Sequence, residues 1–179
     1  MTSGLRLVNP SIDFKESFLA ALAEFQAEGL PWMMDLEVDE LRRDFGSFVQ
    51  SRLKMRAARG ENTAVDQTEL WAALGDVFVG RIGVRHALNE DLRMMGGHIG
   101  YDTRPSYRGR GIATQMLSLA LPVAKKLGLE EVLITCDDSN RASIRVIEKN
   151  GGILRETKPL KNGVMKRYYW IDLSSPGTI

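Results

Sequence analysis

One cysteine, Cys136, in 179 residues leaves no room for an internal disulfide framework. Two histidines, His86 and His98, are too few beside it for a zinc cluster, and no metal is expected. Apolar runs are short: none approaches the roughly 18 residues of a membrane span. The first residues show no charged-then-apolar export signal. Excess charge is missing too, since 24 Lys and Arg against 23 Asp and Glu leave +1. With its basic residues dispersed, the chain is not expected to take nucleic acid or a membrane as its partner. The usual nucleotide fingerprints are also lacking. There is no Gly-x-x-x-x-Gly-Lys-Ser/Thr loop, and Thr114 stands where a dinucleotide loop needs its third glycine. These absences leave a single soluble, cytoplasmic domain over residues 1–179, long enough to bury a core.

What the chain does have is concentrated between Gly97 and Thr114. His98 to Thr103 reads as a strand, and Pro105 biases Arg104 away from helical geometry, so the strand ends there. Arg108-Gly109-Arg110-Gly111 then opens directly into a helix. Glycines let a ligand come close to the main chain. The first turn of the helix offers N–H groups without partners and the positive end of the dipole. Together with Arg108 and Arg110, this stretch suits a diphosphate.

Around it, the remaining elements fall out in order. Leu5 to Val8 is a short strand, and a helix to about Glu28 follows, with Phe14, Phe18, Leu22 and Phe25 as its apolar stripe. After Gly29-Leu30-Pro31-Trp32, a second helix is predicted over Val38 to Arg59, with Val38, Leu41, Phe45, Phe48 and Leu53 facing inward and Gly60 as its stop. The connector between them is acidic (Glu28, Asp35, Glu37, Asp39, Glu40). That is either a helix-start bias or an attraction for a cationic amine. Glu61 to Gln67 reads as loop. Leu70–Leu74 and Val77–His86 form a hairpin around Gly75-Asp76, and Asn89 to Met95 is a longer turn. The helix after the glycine loop shows Ile112, Met116, Leu119, Val123 and Leu127 on one side, with Pro122 expected to kink it. Glu131 to Cys136 is β-branched enough for a buried strand, parallel to the His98 strand through the crossover. A helix over Arg141 to Asn150 and a hairpin of Ile153–Glu156 with Val164–Leu173 complete the chain.

Arg108, Gly111 and Ala113 spell Arg-x-x-Gly-x-Ala, which resembles the acyl-CoA loop of the GNAT superfamily of N-acetyltransferases. Asn140-Arg141-Ala142-Ser143, followed by Glu148-Lys149-Asn150-Gly151, is similar to that family's second signature. The resemblance covers nearly the whole chain. It implies a mixed α/β (α+β) fold: a mostly antiparallel central sheet of about six to seven strands with helices on both faces. Acetyl-CoA is the implied cosubstrate. Its pantetheine arm would pair with the main chain at Tyr101, Asp102 and Thr103, like an added strand. The diphosphate would lie on Arg108, Gly109, Arg110, Gly111, Ile112, Ala113 and Thr114, and Asn140 would bond the arm, unless it is an ordinary helix cap.

One position departs from the family. Many members carry a tyrosine seven residues after the asparagine that protonates the departing thiolate; here it is Ile147. The pattern is nearer to the branch of ribosomal-protein and N-terminal acetyltransferases, where a serine three residues after the asparagine takes this place. That serine is Ser143.

The implied reaction is direct attack of an amine on the thioester. Deprotonating an amine of pKa ~10.4 at neutral pH costs about 4–5 kcal/mol, so a base is sought. His98 lies on the strand leading to the loop and is the candidate, with Asp102 and Asp137 as rivals. The acceptor is a small-molecule amine or a protein N-terminus, met by the Gly29–Asp39 connector, with Trp32, Met33 and Met34, and by the Lys158–Lys166 loop. The missing tyrosine supports an alternative, a CoA-binding or sensing module of the same fold with weak or no turnover. Exposed edge strands leave a homodimer open.

Overall fold

The computed structural model describes residues 4–54, 56–57 and 65–174, the side chains at 31, 32, 56 and 57 excepted. Strand β1 (Arg6–Val8) leads through a 3-10 turn at Ile12–Phe14 into helix α1 (Lys15–Ala27). Ser11 starts that turn by accepting the Asp13 N–H at 3.3 Å, and Gly29 stops the helix with a left-handed φ of +68°.

The single helix expected over Val38 to Arg59 is two. After the short α2 (Pro31–Met34) come α3 (Val38–Arg43) and α4 (Phe45–Leu53). Asp44 parts them because its carboxylate offers the backbone a better bond than the helix interior does. At φ −139° it accepts the Ser47 N–H at 2.9 Å and caps α4. Leu53 is exposed rather than inward-facing. Arg56–Ala57 is not helical but forms strand β2, paired with the start of β3 (Val65–Leu74). The predicted stop at Gly60 and most of the loop from Glu61 lie outside the described residues.

The β3–β4 hairpin, with β4 at Val77–Arg85, turns at Gly75 as predicted. The turn expected at Asn89–Met95 is a short helix, α5 (Glu90–Met94), because the Asn89 side chain accepts the Leu92 N–H at 2.9 Å. Next come β5 (Ile99–Thr103), a 3-10 turn at Pro105–Tyr107, α6 (Ile112–Lys126), β6 (Glu131–Asp137), α7 (Arg141–Lys149), β7 (Ile153–Pro159) and β8 (Met165–Asp172).

The mixed α/β class with mainly antiparallel pairing holds, but the strands divide between two sheets. One has the order β1-β3-β4-β5, with β2 also on β3; the other is β6-β8-β7 and antiparallel throughout. β5 and β6, expected to run parallel through the crossover, belong to different sheets.

By its contacts the chain forms two compact units. The first comprises the described residues of 1–55, 69–82 and 101–116; the second, those of 56–68, 83–100 and 117–179. The core of the first is aromatic. The whole predicted stripe of Phe14, Phe18, Leu22 and Phe25 is buried. Phe18 stacks on Trp71 with ring centroids 5.0 Å apart and planes 20° apart, while Phe78 meets Trp71 edge-on at 5.3 Å.

In the second unit, β6 is buried through Val132, Leu133, Ile134 and Cys136, with Ile147, Tyr168 and Tyr169 also buried. Burial along α6 follows Ile112, Met116, Leu117, Ala120 and Ala124, and Leu119 is exposed. The two alanines, small enough for close packing, turn that helix away from the face that large residues alone predicted. Pro122 is on the exposed side. Ser118, four residues before it, is exposed as well, so water can serve the carbonyl that the proline leaves unpaired.

Trp71→Ala is expected to cost about 3–5 kcal/mol in urea unfolding. Ile12→Ala, at a site 62% exposed, should stay within about 0.5 kcal/mol.

Candidate functional site

The basic loop of the first unit is held by the carboxylates of α1. Glu24 receives the Arg104 guanidinium at 2.7 and 2.8 Å, the Ser106 N–H at 2.9 Å and the Ser106 hydroxyl at 3.1 Å. One turn further, Glu28 pairs with Arg108 at 2.7 Å, and the Arg108 Nε donates to the Thr103 carbonyl at 3.1 Å. Partial burial alone would raise the Glu24 pKa. The hydrogen bonds from Arg104 and Ser106 outweigh it, and the carboxyl sits below its ordinary 4.5. Glu28, the first acid of the connector, is therefore committed to the loop. Arg110 instead lies over the Tyr107 ring at 5.2 Å.

Gly109 and Gly111 take left-handed φ values of +74° and +77°. A Cβ built at Gly109 would meet nothing within 4 Å, so the space beside it is open to a ligand. The N–H groups of the first turn of α6 follow at once. Thus Tyr101, Asp102, Thr103 and the run from Arg108 to Thr114 come together in one unit, and the glycine-to-helix geometry fits a diphosphate.

A chain of charge that the sequence reading missed lies in the same unit. Glu69, whose side chain is only 2% exposed, accepts the Trp71 indole N–H at 3.1 Å and lies 3.4 Å from Arg81. Arg81 in turn pairs with Asp102 at 2.9 Å. Asp102, a rival for the base, is thereby engaged in an ion pair. Asp137, the other rival, pairs with Lys166 at 2.6 Å in the second unit.

His98 is buried in the second unit. Its Nδ1 accepts the Leu133 N–H at 2.9 Å, which leaves Nε2 carrying the ring proton. Burial, and after it Arg93, lowers its pKa to about 4; Glu131 opposes this, and Arg85 adds a lesser push downward. A ring whose accepting nitrogen is already used does not take a proton from an amine. The structure thus argues against His98 as the base. His86 bonds Thr68 through Nε2 at 2.8 Å.

Asn140 caps α7: its Oδ1 accepts the Ser143 N–H at 3.0 Å, and its amide nitrogen is the group suited to a ligand. The turn before it is tied to β8, where Arg167 meets Asp138 at 2.6 Å and Lys166 meets Asp137. Glu148 accepts the hydroxyl of the buried Tyr169 at 3.0 Å, so that part of the second signature anchors the helix. Ile147 is fully buried. Burial drives the Cys136 thiol up to about 11. Among the described residues, no group of three or more His, Cys, Asp or Glu is placed to hold a metal, and no helix is long and apolar enough to cross a membrane.

Residues 4–153 match the family model of the acetyltransferase (GNAT) domain. The chain belongs to the GNAT acetyltransferase family. No curated protein sequence matches it significantly. Among solved structures, this GNAT chain is similar to RimL, the ribosomal L7/L12 alpha-N-protein acetyltransferase, in complex with coenzyme A. The two are 16% identical, with a TM-score of 0.67 over 97% of this chain and 96% of that one. The microcin C7 self-immunity acetyltransferase MccE, in complex with acetyl-CoA and AMP, is 15% identical, at 0.65 over 94% and 92%. A GNAT-family acetyltransferase from Bacillus anthracis is 19% identical, at 0.65 over 98% and 98%. At these identities the likeness establishes the fold.

Two cavities flank the acidic connector of this GNAT chain. One, of 310 Å³, is lined by Gln26, Met34, Leu36, Glu37, Val38 and Asp39, and the other, of 380 Å³, by Asp35, Glu37, Glu40, Asp44 and Arg52 among others. Met33 is core, Met34 is exposed, and the Trp32 side chain lies outside the described ones.

Glu24→Gln is expected to lower stability by about 1–2 kcal/mol and to speed amide exchange at Ser106, both readable by NMR. The lowered Glu24 pKa adds stability above pH 4.5 that is lost as pH falls through its folded value. For His98, acid acts earlier. Between pH 6.5 and about 4 the unfolded chain binds a proton at this ring and the folded protein does not, so stability falls as pH drops through that window. The full effect is about 3 kcal/mol, and urea unfolding of wild type against His98→Asn between pH 7 and 5 should show it disappear in the variant.

Proposed function

We propose that this chain is an acetyl-CoA-dependent N-acetyltransferase, one domain over residues 1–179, which moves the acetyl group to an amine by direct attack in a ternary complex. The observation that carries this reading is the loop from Arg104 to Gly111. It is clamped by Glu24 and Glu28, opens through two left-handed glycines onto the start of α6, and lies in a chain of the GNAT family. Gly109 to Thr114 hold the diphosphate through main-chain N–H groups, with Arg110 as the nearby cation. Arg108, bound to Glu28 and Thr103, shapes the loop more than it meets the phosphate. The main chain of Tyr101, Asp102 and Thr103 pairs with the pantetheine arm and meets the oxyanion that develops at the thioester carbonyl. The Asn140 amide bonds the arm, and the Ser143 hydroxyl stabilises the departing thiolate.

The acceptor is an amine. The structural likeness to a ribosomal L7/L12 alpha-N-protein acetyltransferase and to an aminoglycoside acetyltransferase supports that class, and the carboxylates of the connector cavities, which outnumber Arg52 there, suit a cation. With the accepting nitrogen of His98 taken by the Leu133 N–H, the amine gives up its proton to water before or during attack. The enzyme would work in the cytoplasm, where its cosubstrate is. A buried Ile147 in place of a tyrosine favours the second reading, a CoA-binding module with little turnover.

Calorimetry with acetyl-CoA, followed by release of CoA in the presence of an amine panel, tests both. Heat with turnover supports the enzyme, heat without turnover the module, and no heat from folded protein removes both. For an accepted amine, log kcat/KM should climb with pH toward the pKa of the amine itself. An inflection near 6.5 that vanishes in His98→Gln would contradict the absence of a histidine base.

A further inference from the structure

Four side chains of alternating charge cross the first unit in a line. Arg52 of α4 stands 4.0 Å from Glu69 of β3, Glu69 lies 3.4 Å from Arg81 of β4, and Arg81 meets Asp102 of β5 at 2.9 Å. Glu69 is the fixed member, since its side chain is 2% exposed and it also accepts the Trp71 indole N–H at 3.1 Å. The charges sum to zero, so the line carries no net repulsion, yet its ends differ. A guanidinium stands at the α4 end and a carboxylate at the β5 end. Asp102 is half-buried, and the negative end of the line reaches solvent there.

The two faces of the sheet are not alike at this point. On one, a Cβ built at Gly80 of β4 would strike the Asp102 carbonyl at 2.5 Å and meet the Met116 side chain at 3.2 Å, so α6 closes that face. On the other, Arg81 and Glu69 lead from Asp102 to Trp71, which belongs to the aromatic core with α1. Asp102 therefore carries its charge on the face that α6 leaves.

A thioester whose arm pairs with β5 like an added strand has its carbonyl in the plane of the sheet, directed at main-chain N–H groups. A nucleophile adds to a carbonyl from above or below that plane, and strand side chains stand roughly perpendicular to it. With α6 on one face, the amine comes from the other. Its lone pair forms the C–N bond while the carbonyl π pair moves onto oxygen, and the nitrogen becomes positive. Collapse re-forms the carbonyl and breaks the C–S bond. CoA leaves as thiolate, and the nitrogen gives its extra proton to water.

We propose that Asp102 is a catalytic residue: its carboxylate faces the attacking nitrogen and balances the positive charge gained there, held in place beforehand by Arg81 and the buried Glu69. The inference rests on the reading that the β5 main chain receives the thioester. A charge fixed in advance needs no reorganisation when the nitrogen turns positive.

Calorimetry with acetyl-CoA and steady-state kinetics with an accepted amine, on wild type, Asp102→Asn and Asp102→Glu, test it. Asparagine keeps the size and removes the charge. The Asn variant should lose about 100-fold in kcat and hold Kd for acetyl-CoA within about threefold of wild type. Glutamate restores the charge one methylene further out and should recover about tenfold of that loss. An Asn variant with kcat within about threefold of wild type would overturn the proposal, and so would a Glu variant no faster than the Asn variant. A Kd raised about tenfold or more by Asp102→Asn would also overturn it, because the residue would then serve the cosubstrate site. If the Asn variant fails to fold, Arg81→Met combined with Asp102→Asn removes guanidinium and carboxylate together, leaves Glu69 with Arg52, and is read by the same kcat and Kd criteria. Wild-type heat without turnover of any amine overturns the proposal and leaves the cosubstrate site standing. Folded wild-type protein that gives no heat with acetyl-CoA overturns the underlying reading, whatever the variants do.

Discussion

Three arginines within the seven residues from Arg104 to Arg110 repel one another, and a loop built to accept an anion must hold its shape before the anion arrives. The carboxylates of α1 meet that constraint. Glu24 and Glu28 lie one helical turn apart, and between them they neutralise Arg104 and Arg108 and fix the Ser106 amide. What the loop then offers outward is chiefly dipolar, from N–H groups and a helix terminus, with Arg110 as the remaining cation of the three. Such a surface attracts a diphosphate without the self-repulsion of a cluster of bare charges. The aromatic core around Phe18 and Trp71 supports it, because α1 can present its carboxylates only if its other face is anchored.

Much of the framework could be read from local pattern. The α1 stripe, the β3–β4 hairpin, the glycine loop and the Asn140 cap each depend on residues a few positions apart, and each has the predicted form. Where local pattern failed, a side chain had found a better partner for the backbone. Asp44 breaks a helix and Asn89 makes one, both by capping. On α6, small alanines outcompeted a large leucine for the buried face, which periodicity of bulky residues does not register.

The site was legible as a loop but not as a supported loop. Glu24 is 80 positions from Arg104, and no spacing rule links them. Likewise Arg81 and Glu69 show themselves only once β3, β4 and β5 are aligned. His98 is the sharpest case. From sequence, a histidine on a strand beside a glycine loop suggests proton transfer. What decides its chemistry is which atom sits against Nδ1, and that atom belongs to Leu133, 35 residues on. The same geometry moves it from chemistry to architecture.

The lone thiol has a consequence of its own. Cys136 is held on β6 at 5% exposure and stays protonated well past neutral pH. Thiolate is the form that attacks disulfides, thioesters and alkylating agents. Shielded and undissociated, this sulfur should be indifferent to oxidants and electrophiles in the native protein. Labelling at position 136 would therefore report unfolding rather than reactivity, giving the molecule a built-in clock for its own opening.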